Sequence, residues 1–298
     1  MTKGSPNRAG FSLAEIMVAV MILGIVGAGM MRVLVSQNRF FDQQNNLRTA
    51  RSISRNAMVV LMADLRMVQD SGGVDSASTD FKTLRVLVPY RFGLACGISG
   101  STTTVSMLPI DSAVNAMSTY KGFAVRSATN GRYTYFFPSN PTGSDAPQPA
   151  GAPATCTGSA SGQAQIKSMT LNGRTADILD LHSSGSSGAV ATAPVFFFQR
   201  VTYSFKASNA YPSRLGLWRS VDNGVSEELM APFDTSAGFR YYTSGVDTSN
   251  TVLVPALSDI RGVDVRLYSL SPRTTSNNTT PSSSKMVTSV FFKNVRSY

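Results

Sequence analysis

Hydrophobic and polar positions along the chain change period twice. From Phe11 to Val35 the sequence is almost continuously apolar, "FSLAEIMVAVMILGIVGAGMMRVLV", with no proline. Read as a helix, this stretch is roughly 38 Å long at 1.5 Å per residue, enough to cross a hydrocarbon core of about 30 Å. Beyond Arg32 the pattern becomes amphipathic. Leu47, Ala50, Ser54, Ala57, Leu61, Leu65 and Val68 recur at spacings of three and four, and Arg48, Arg51, Arg55 and Arg66 fall elsewhere on the wheel. The spacing predicts one helix from Phe11 to Gln69, roughly 90 Å long, stopped by Gly72 and Gly73.

After Gly73 the period drops to two. Strands are predicted at 83–93, 102–110, 122–128, 131–137, 195–206, 214–221, 238–244, 260–270 and 287–295, several of them alternating apolar with polar as in a half-buried antiparallel sheet packed on a helix. Ser/Thr/Pro/Gly-rich loops separate them at 138–162, 182–194 and 271–285. The expected fold class is therefore α+β, a long amino-terminal helix packed on an antiparallel β-sheet with long irregular loops. Trp218, in the predicted strand "RLGLWRSV", reads most simply as packing between sheet and helix.

Composition refines this picture in three places. The chain of 298 residues is 42% hydrophobic, enough for a core, yet only 15% charged. That low charge, with abundant Ser, Thr, Asn and Gly, suits a loop-rich extracytoplasmic β domain. The net charge of +10 is spread thinly: Arg126, Arg132, Arg200, Arg219 and Arg240 lie on different predicted strands. No dense Lys/Arg block marks a nucleic-acid footprint, so nucleic acid is a conceivable partner that the pattern does not indicate. The two cysteines, Cys96 and Cys156, are compatible with one disulfide in an oxidising compartment or with two separate thiols.

The apolar run contains one carboxylate, Glu15, and a charge in hydrocarbon costs a few kcal/mol unless it meets a partner. The sequence around it, "GFSLAEIMVAVMILGIV" after a short basic leader "MTKGSPNRA", resembles the class III signal of type IV pilins and type II secretion pseudopilins. The resemblance implies that prepilin peptidase cleaves between Gly10 and Phe11 and that Phe11 is N-methylated. It supplies Glu15 with a partner, because cleavage creates a positive amine on Phe11 that a neighbouring subunit's Glu15 can meet in a helical bundle, favouring one axial register. Snorkelling of Glu15 to the headgroups is the alternative. Gly24, Gly27 and Gly29 place small residues where another helix can approach.

Residues 48–73, "RTARSISRNAMVVLMADLRMVQDSGG", and the tail segments "VTYSFKASNAYPSRLGLWRSVDNG", "IRGVDVRLYSL" and "VFFKNVRSY" look like the PilW-like minor pilins and the J-type minor pseudopilins, including the Asp64-Leu65-Arg66 triplet. Residues 74–199 resemble nothing that can be named. The implied organisation is a leader at 1–10, a transmembrane and assembly helix at 11–35, its amphipathic continuation at 36–73, and a β-rich domain at 74–298. The implied function is a minor pilin of a type IV pilus, in a priming or tip complex, with the inner membrane, prepilin peptidase and other minor and major pilins as partners. A minor pseudopilin of type II secretion, or of a competence machine for DNA uptake, is the alternative. The implied location is the bacterial inner membrane, single-pass with a cytoplasmic amino terminus, and then an extracytoplasmic filament.

The residues do not assemble an enzyme's acid, base and nucleophile. The single histidine, His182, lies at the edge of a Ser/Gly-rich segment, and no GxSxG elbow or Gly-Lys phosphate loop occurs. Asp177 with Asp180, and Glu227 with Glu228, are acidic pairs that read as surface residues rather than a calcium site. No cofactor is expected.

Overall fold

The computed structural model describes residues 12–69, 72–99, 102–108, 121–127, 131–138, 148–149, 170–171, 174–175, 178–182, 193–243, 249, 256–274 and 279–292. Helix α1, Leu13–Leu65, begins at a complete capping box. Ser12 Oγ accepts the Glu15 N–H at 3.3 Å, and the Glu15 carboxylate accepts the Ser12 N–H at 3.0 Å. The helix is 53 residues long and ends one turn earlier than its periodicity predicts. Met67 N–H bonds to the Asp64 carbonyl and Val68 N–H to the Leu65 carbonyl, which tightens the backbone while keeping Val68 fully buried. The predicted glycine stop serves a different purpose. Gly73 passes so close to the Gln69 backbone that a Cβ would lie 2.2 Å from its carbonyl oxygen.

The two halves of α1 differ as the two periods require. Leu13 to Val35 is exposed throughout, and this is the one helix among the described residues long and apolar enough to cross a membrane. The other half buries Ala50, Ser54, Ala57, Met58, Leu61, Met62 and Leu65.

Fifteen strands follow among the described residues: β1 (Val74–Ala77), β2 (Thr83–Ser99), β3 (Thr102–Met107), β4 (Phe123–Arg126), β5 (Tyr133–Phe136), β6 (Gln148–Pro149), β7 (Thr170–Leu171), β8 (Arg174–Thr175), β9 (Ile178–His182), β10 (Pro194–Ala207), β11 (Leu215–Val221), β12 (Glu227–Phe233), β13 (Gly238–Thr243), β14 (Ile260–Leu270) and β15 (Ser283–Phe291). All but β7 and β8 join one curled antiparallel sheet. Its spine is the pair β2 and β10, matched from Thr83 opposite Ser204 to Leu94 opposite Pro194. Each spine strand divides its other edge. Strand β10 pairs with β4 through Val195–Phe197 and with β11 through Val201–Ala207; β2 pairs with β1 near its start and with β3 near its end.

Two lobes result. In the first, α1 packs on β15, β14, β12 and the beginning of β2. It encloses a core of Leu61, Leu65, Val86, Tyr203, Phe205, Leu217, Phe239, Val263, Val265 and their neighbours. In the second, Phe197, Phe123 and Val105 cluster on one face of β10 and Phe196, Phe198 and Leu87 on the other. A buried polar contact pins the helix at its entry to the core: Ser269 Oγ donates to the Ala50 carbonyl at 2.6 Å and lies 2.7 Å from Ser54 Oγ.

The structure moves several predicted elements. Strand β15 starts within the segment expected to be loop, because Ser283 and Ser284 continue the ladder opposite Leu270 and Ser269. Strand β12 occupies a stretch read as surface acids. Adjacent strand residues point to opposite faces, so Glu227 and Glu228 do not converge on a cation; Glu228 instead accepts the Asn209 N–H at 2.9 Å. Trp218 faces away from the helix. Its neighbours Leu217 and Arg219 face α1, and Trp218 is covered on the opposite face by Lys206, whose ammonium sits 4.3 Å from the ring centroid.

Candidate functional site

The site begins at the start of α1. Gly10 and Phe11, the expected cleavage and methylation positions, lie outside the described residues. Ser12 and Glu15 lie inside them and are coupled: Glu15 Oε2 accepts both the Ser12 N–H and, at 3.2 Å, the Ser12 hydroxyl. The pattern Ser12-x-x-Glu15 carries this signal in the sequence as a capping box. A carboxylate in the first turn also complements the positive end of the helix dipole. One oxygen of Glu15 is thus committed within its own chain, and Oε1 has no hydrogen-bond donor among the described residues. The helix beyond it offers close approach to another helix, since a Cβ on Gly24, Gly27 or Gly29 would meet nothing within 4 Å.

At the other end of α1, the Asp64-Leu65-Arg66 triplet splits by face. Leu65 is fully buried. Asp64 accepts from the Tyr203 hydroxyl at 2.6 Å and from Arg219 Nη2 at 3.1 Å, a clamp between the helix end and strands β10 and β11. Burial pushes the Tyr203 phenol well above its ordinary pKa, and its hydrogen bond to the Asp64 carboxylate pushes the same way. Neither partner of Asp64 could be found from the sequence, because both lie well over a hundred residues away. Arg66 points elsewhere and rims an apolar groove with Arg55.

A second polar cluster lies on the sheet face away from the helix. Asp264, only 4% exposed, accepts from Ser289 Oγ at 2.6 Å, Ser249 Oγ at 3.0 Å and the Tyr242 hydroxyl at 3.1 Å, with Arg266 Nη2 at 3.7 Å. Burial raises the Asp264 pKa, but these hydrogen bonds and the guanidinium outweigh it and hold the carboxyl below its ordinary value. A carboxylate whose pKa is depressed by folding contributes stability above its unfolded pKa and loses it as pH falls through the folded one. Asp264→Asn is therefore expected to lower thermal stability at pH 7, and the gap from the parent chain should narrow as pH falls below about 4. A gap unchanged between pH 7 and pH 3 refutes the assignment.

The remaining sequence candidates do not converge. Cys96 is 1% exposed and disulfide-bonded; Cys156 lies outside the described residues. So does Asp177, while Asp180 and His182 stand in the ladder of β9 opposite Thr104 and Thr102. No group of three or more potential metal ligands occurs among the described residues. The arginines disperse: Arg126 bonds the Gly131 carbonyl, Arg200 lies 3.6 Å from Asp75, Arg219 faces the helix, and Arg240 sits opposite Asp264 on the other face.

A family model described as the prokaryotic N-terminal methylation motif matches residues 5–31. No curated protein and no solved structure matches the chain. The motif supports a type IV pilin-like or pseudopilin protein, a structural rather than catalytic class, and fits anchoring in the inner membrane followed by assembly. The class III signal implies processing by prepilin peptidase and assembly with other pilins.

Proposed function

We propose that this chain is a PilW-like minor pilin of a type IV pilus. In this reading prepilin peptidase cuts between Gly10 and Phe11, Phe11 is methylated, and the mature helix joins a priming or tip complex with other minor and major pilins. The observation that carries it is the helix start: a capped apolar helix that buries nothing from Leu13 to Val35, most of it within the matched motif. An exposed apolar surface of that length needs lipid or other helices to cover it. Before assembly the chain crosses the inner membrane once with its amino terminus in the cytoplasm.

The register of assembly then rests on Glu15. Its uncommitted oxygen is the acceptor for the Phe11 amine of a neighbour, and the pair forms in a low-dielectric bundle where an unpaired charge is costly. The bulk of the sheet domain also supports a terminal position, because a many-stranded body with irregular loops is easier to accommodate once than at every repeat of a shaft. In the extracytoplasmic compartment Cys96 pairs with Cys156.

Two measurements test the reading. Mass spectrometry of the mature chain is expected to find Phe11 as the first residue, carrying one added methyl group; any other first residue overturns the processing step. A deletion strain is expected to lose surface pili and twitching. Intact pili with lost exoprotein secretion would assign the chain instead to a type II secretion pseudopilus, and intact pili with lost transformation to a DNA-uptake machine.

A further inference from the structure

Strand β15 is an edge. It pairs with β14 along its whole length in unbroken register, and its other side has no ladder partner among the described residues. Which of its backbone groups are free follows from the ends of the ladder. Phe292 N–H donates to the Arg261 carbonyl and Ser271 N–H to the Ser282 carbonyl, so the hydrogen-bonded pairs fall at every second residue between them. Ser284, Met286, Thr288 and Val290 therefore bond to β14, and the N–H and C=O groups of Lys285, Val287, Ser289 and Phe291 point outward.

Edges of this kind are usually blunted by proline, bulges or several charges. Here β15 has no proline and no bulge, and Lys285 is its only charge. Val287 and Phe291 are 41% and 59% exposed. The space beside the edge is also shaped. Met286, on the helix-facing side of β15, forms a groove with Arg55, Met58, Val59, Met62, Ala63 and Arg66 of α1. The two arginines stand eleven residues apart on one helix stripe, about 16 Å by the helical rise, a span that about five residues of strand cover. Val59 is 68% exposed, and neither guanidinium has a carboxylate partner among the described residues.

We propose that the free edge of β15 and the adjoining groove form one strand-addition site for an extended acidic segment of a different protein. Pairing with β15 places every second side chain of the incoming strand on the helix side, over Met58, Val59 and Met62. Carboxylates near the two ends of that strand meet Arg55 and Arg66 in charge-assisted hydrogen bonds. A second copy of this chain is the poorer occupant. It would bring Arg55, Arg66 and Lys285 against the same groups, in a protein of net charge +10. The site is independent of which machine the chain serves, so its failure leaves the pilin reading standing, and the reverse.

The test uses the full-length chain in detergent micelles and two fluorescent nonapeptides that alternate valine and threonine, one with glutamate near both ends and one with lysine in those places. Fluorescence anisotropy is expected to show saturable binding of the acidic peptide, at least tenfold tighter than the basic one. Val287→Pro, which removes an outward N–H without touching the β14 ladder, and the double variant Arg55→Glu/Arg66→Glu should each weaken it at least tenfold, with Val287→Ala near the parent. If Val287→Pro fails to fold by circular dichroism, the surface arginine pair decides alone. Absence of saturable binding, equal binding of the two peptides, insensitivity to the variants, or self-association that occupies the edge in the parent chain would each overturn the proposal.

Discussion

Glu15→Val is expected to leave membrane insertion and removal of residues 1–10 largely unchanged while reducing incorporation into the filament about tenfold or more, equivalent to about 1.4 kcal/mol of lost pairing or greater. The expectation follows from what each atom of Glu15 does. Its backbone N–H bonds to Ser12 Oγ and survives the substitution, so the helix keeps half of its capping box. Its carboxylate is lost, and with it the bond to the Ser12 N–H and the acceptor proposed for a neighbour's terminal amine. Glu15→Gln separates these two losses. Glutamine retains the reciprocal hydrogen bond of a capping box but has no charge to set against an ammonium. Poor incorporation of both variants, measured by immunoblotting sheared filaments against total membrane protein, assigns the effect to charge. Normal incorporation of the glutamine variant would end the pairing account.

The largest expected loss of stability comes from Asp64→Ala. The substitution leaves the half-buried Arg219 guanidinium and the buried Tyr203 hydroxyl facing each other with no carboxylate between them. Removing one partner of such a group exposes the desolvation cost of the others, and the expected loss is about 2–4 kcal/mol. Tyr203→Phe, which removes only one hydrogen bond, should cost about 1 kcal/mol. In thermal unfolding of the detergent-solubilised chain followed by circular dichroism, the alanine variant should melt several degrees below the phenylalanine variant. Equal melting of Asp64→Ala and the parent would show that the clamp contributes nothing.

The long helix was legible because two different periods are written along it: an almost continuously apolar run to Val35, and then three-and-four spacing that matches the buried residues from Ala50 to Val68. Strands β10 and β14 were legible for an analogous reason, a stretch of apolar and polar residues in alternation, Val201 to Lys206 in one and Val263 to Leu267 in the other. Strand β12 was not, because Glu227, Glu228 and Pro232 imitate a surface turn, and its partner β11 supplies the context that makes it a strand. Trp218 shows a second limit. Alternation assigns residues to two faces but does not say which face the helix covers. Here the polar Arg219 lies on the helix side because Asp64 waits for it there. The helix cap was missed by the reading that starts the helix at Phe11, although Ser12-x-x-Glu15 is a local signal for it, whereas the Asp64 clamp depends on tertiary contacts that no local pattern records.

The spine of β2 and β10 also bears on how such a chain can diverge. The two lobes share a backbone ladder, yet the side chains of the first form a cluster separate from those of the second. Substitutions at distant sites without shared partners act nearly additively. The lobe remote from the helix can thus change in sequence without compensating changes in the lobe that holds α1, so an altered surface at one end need not disturb the packing of the helix at the other.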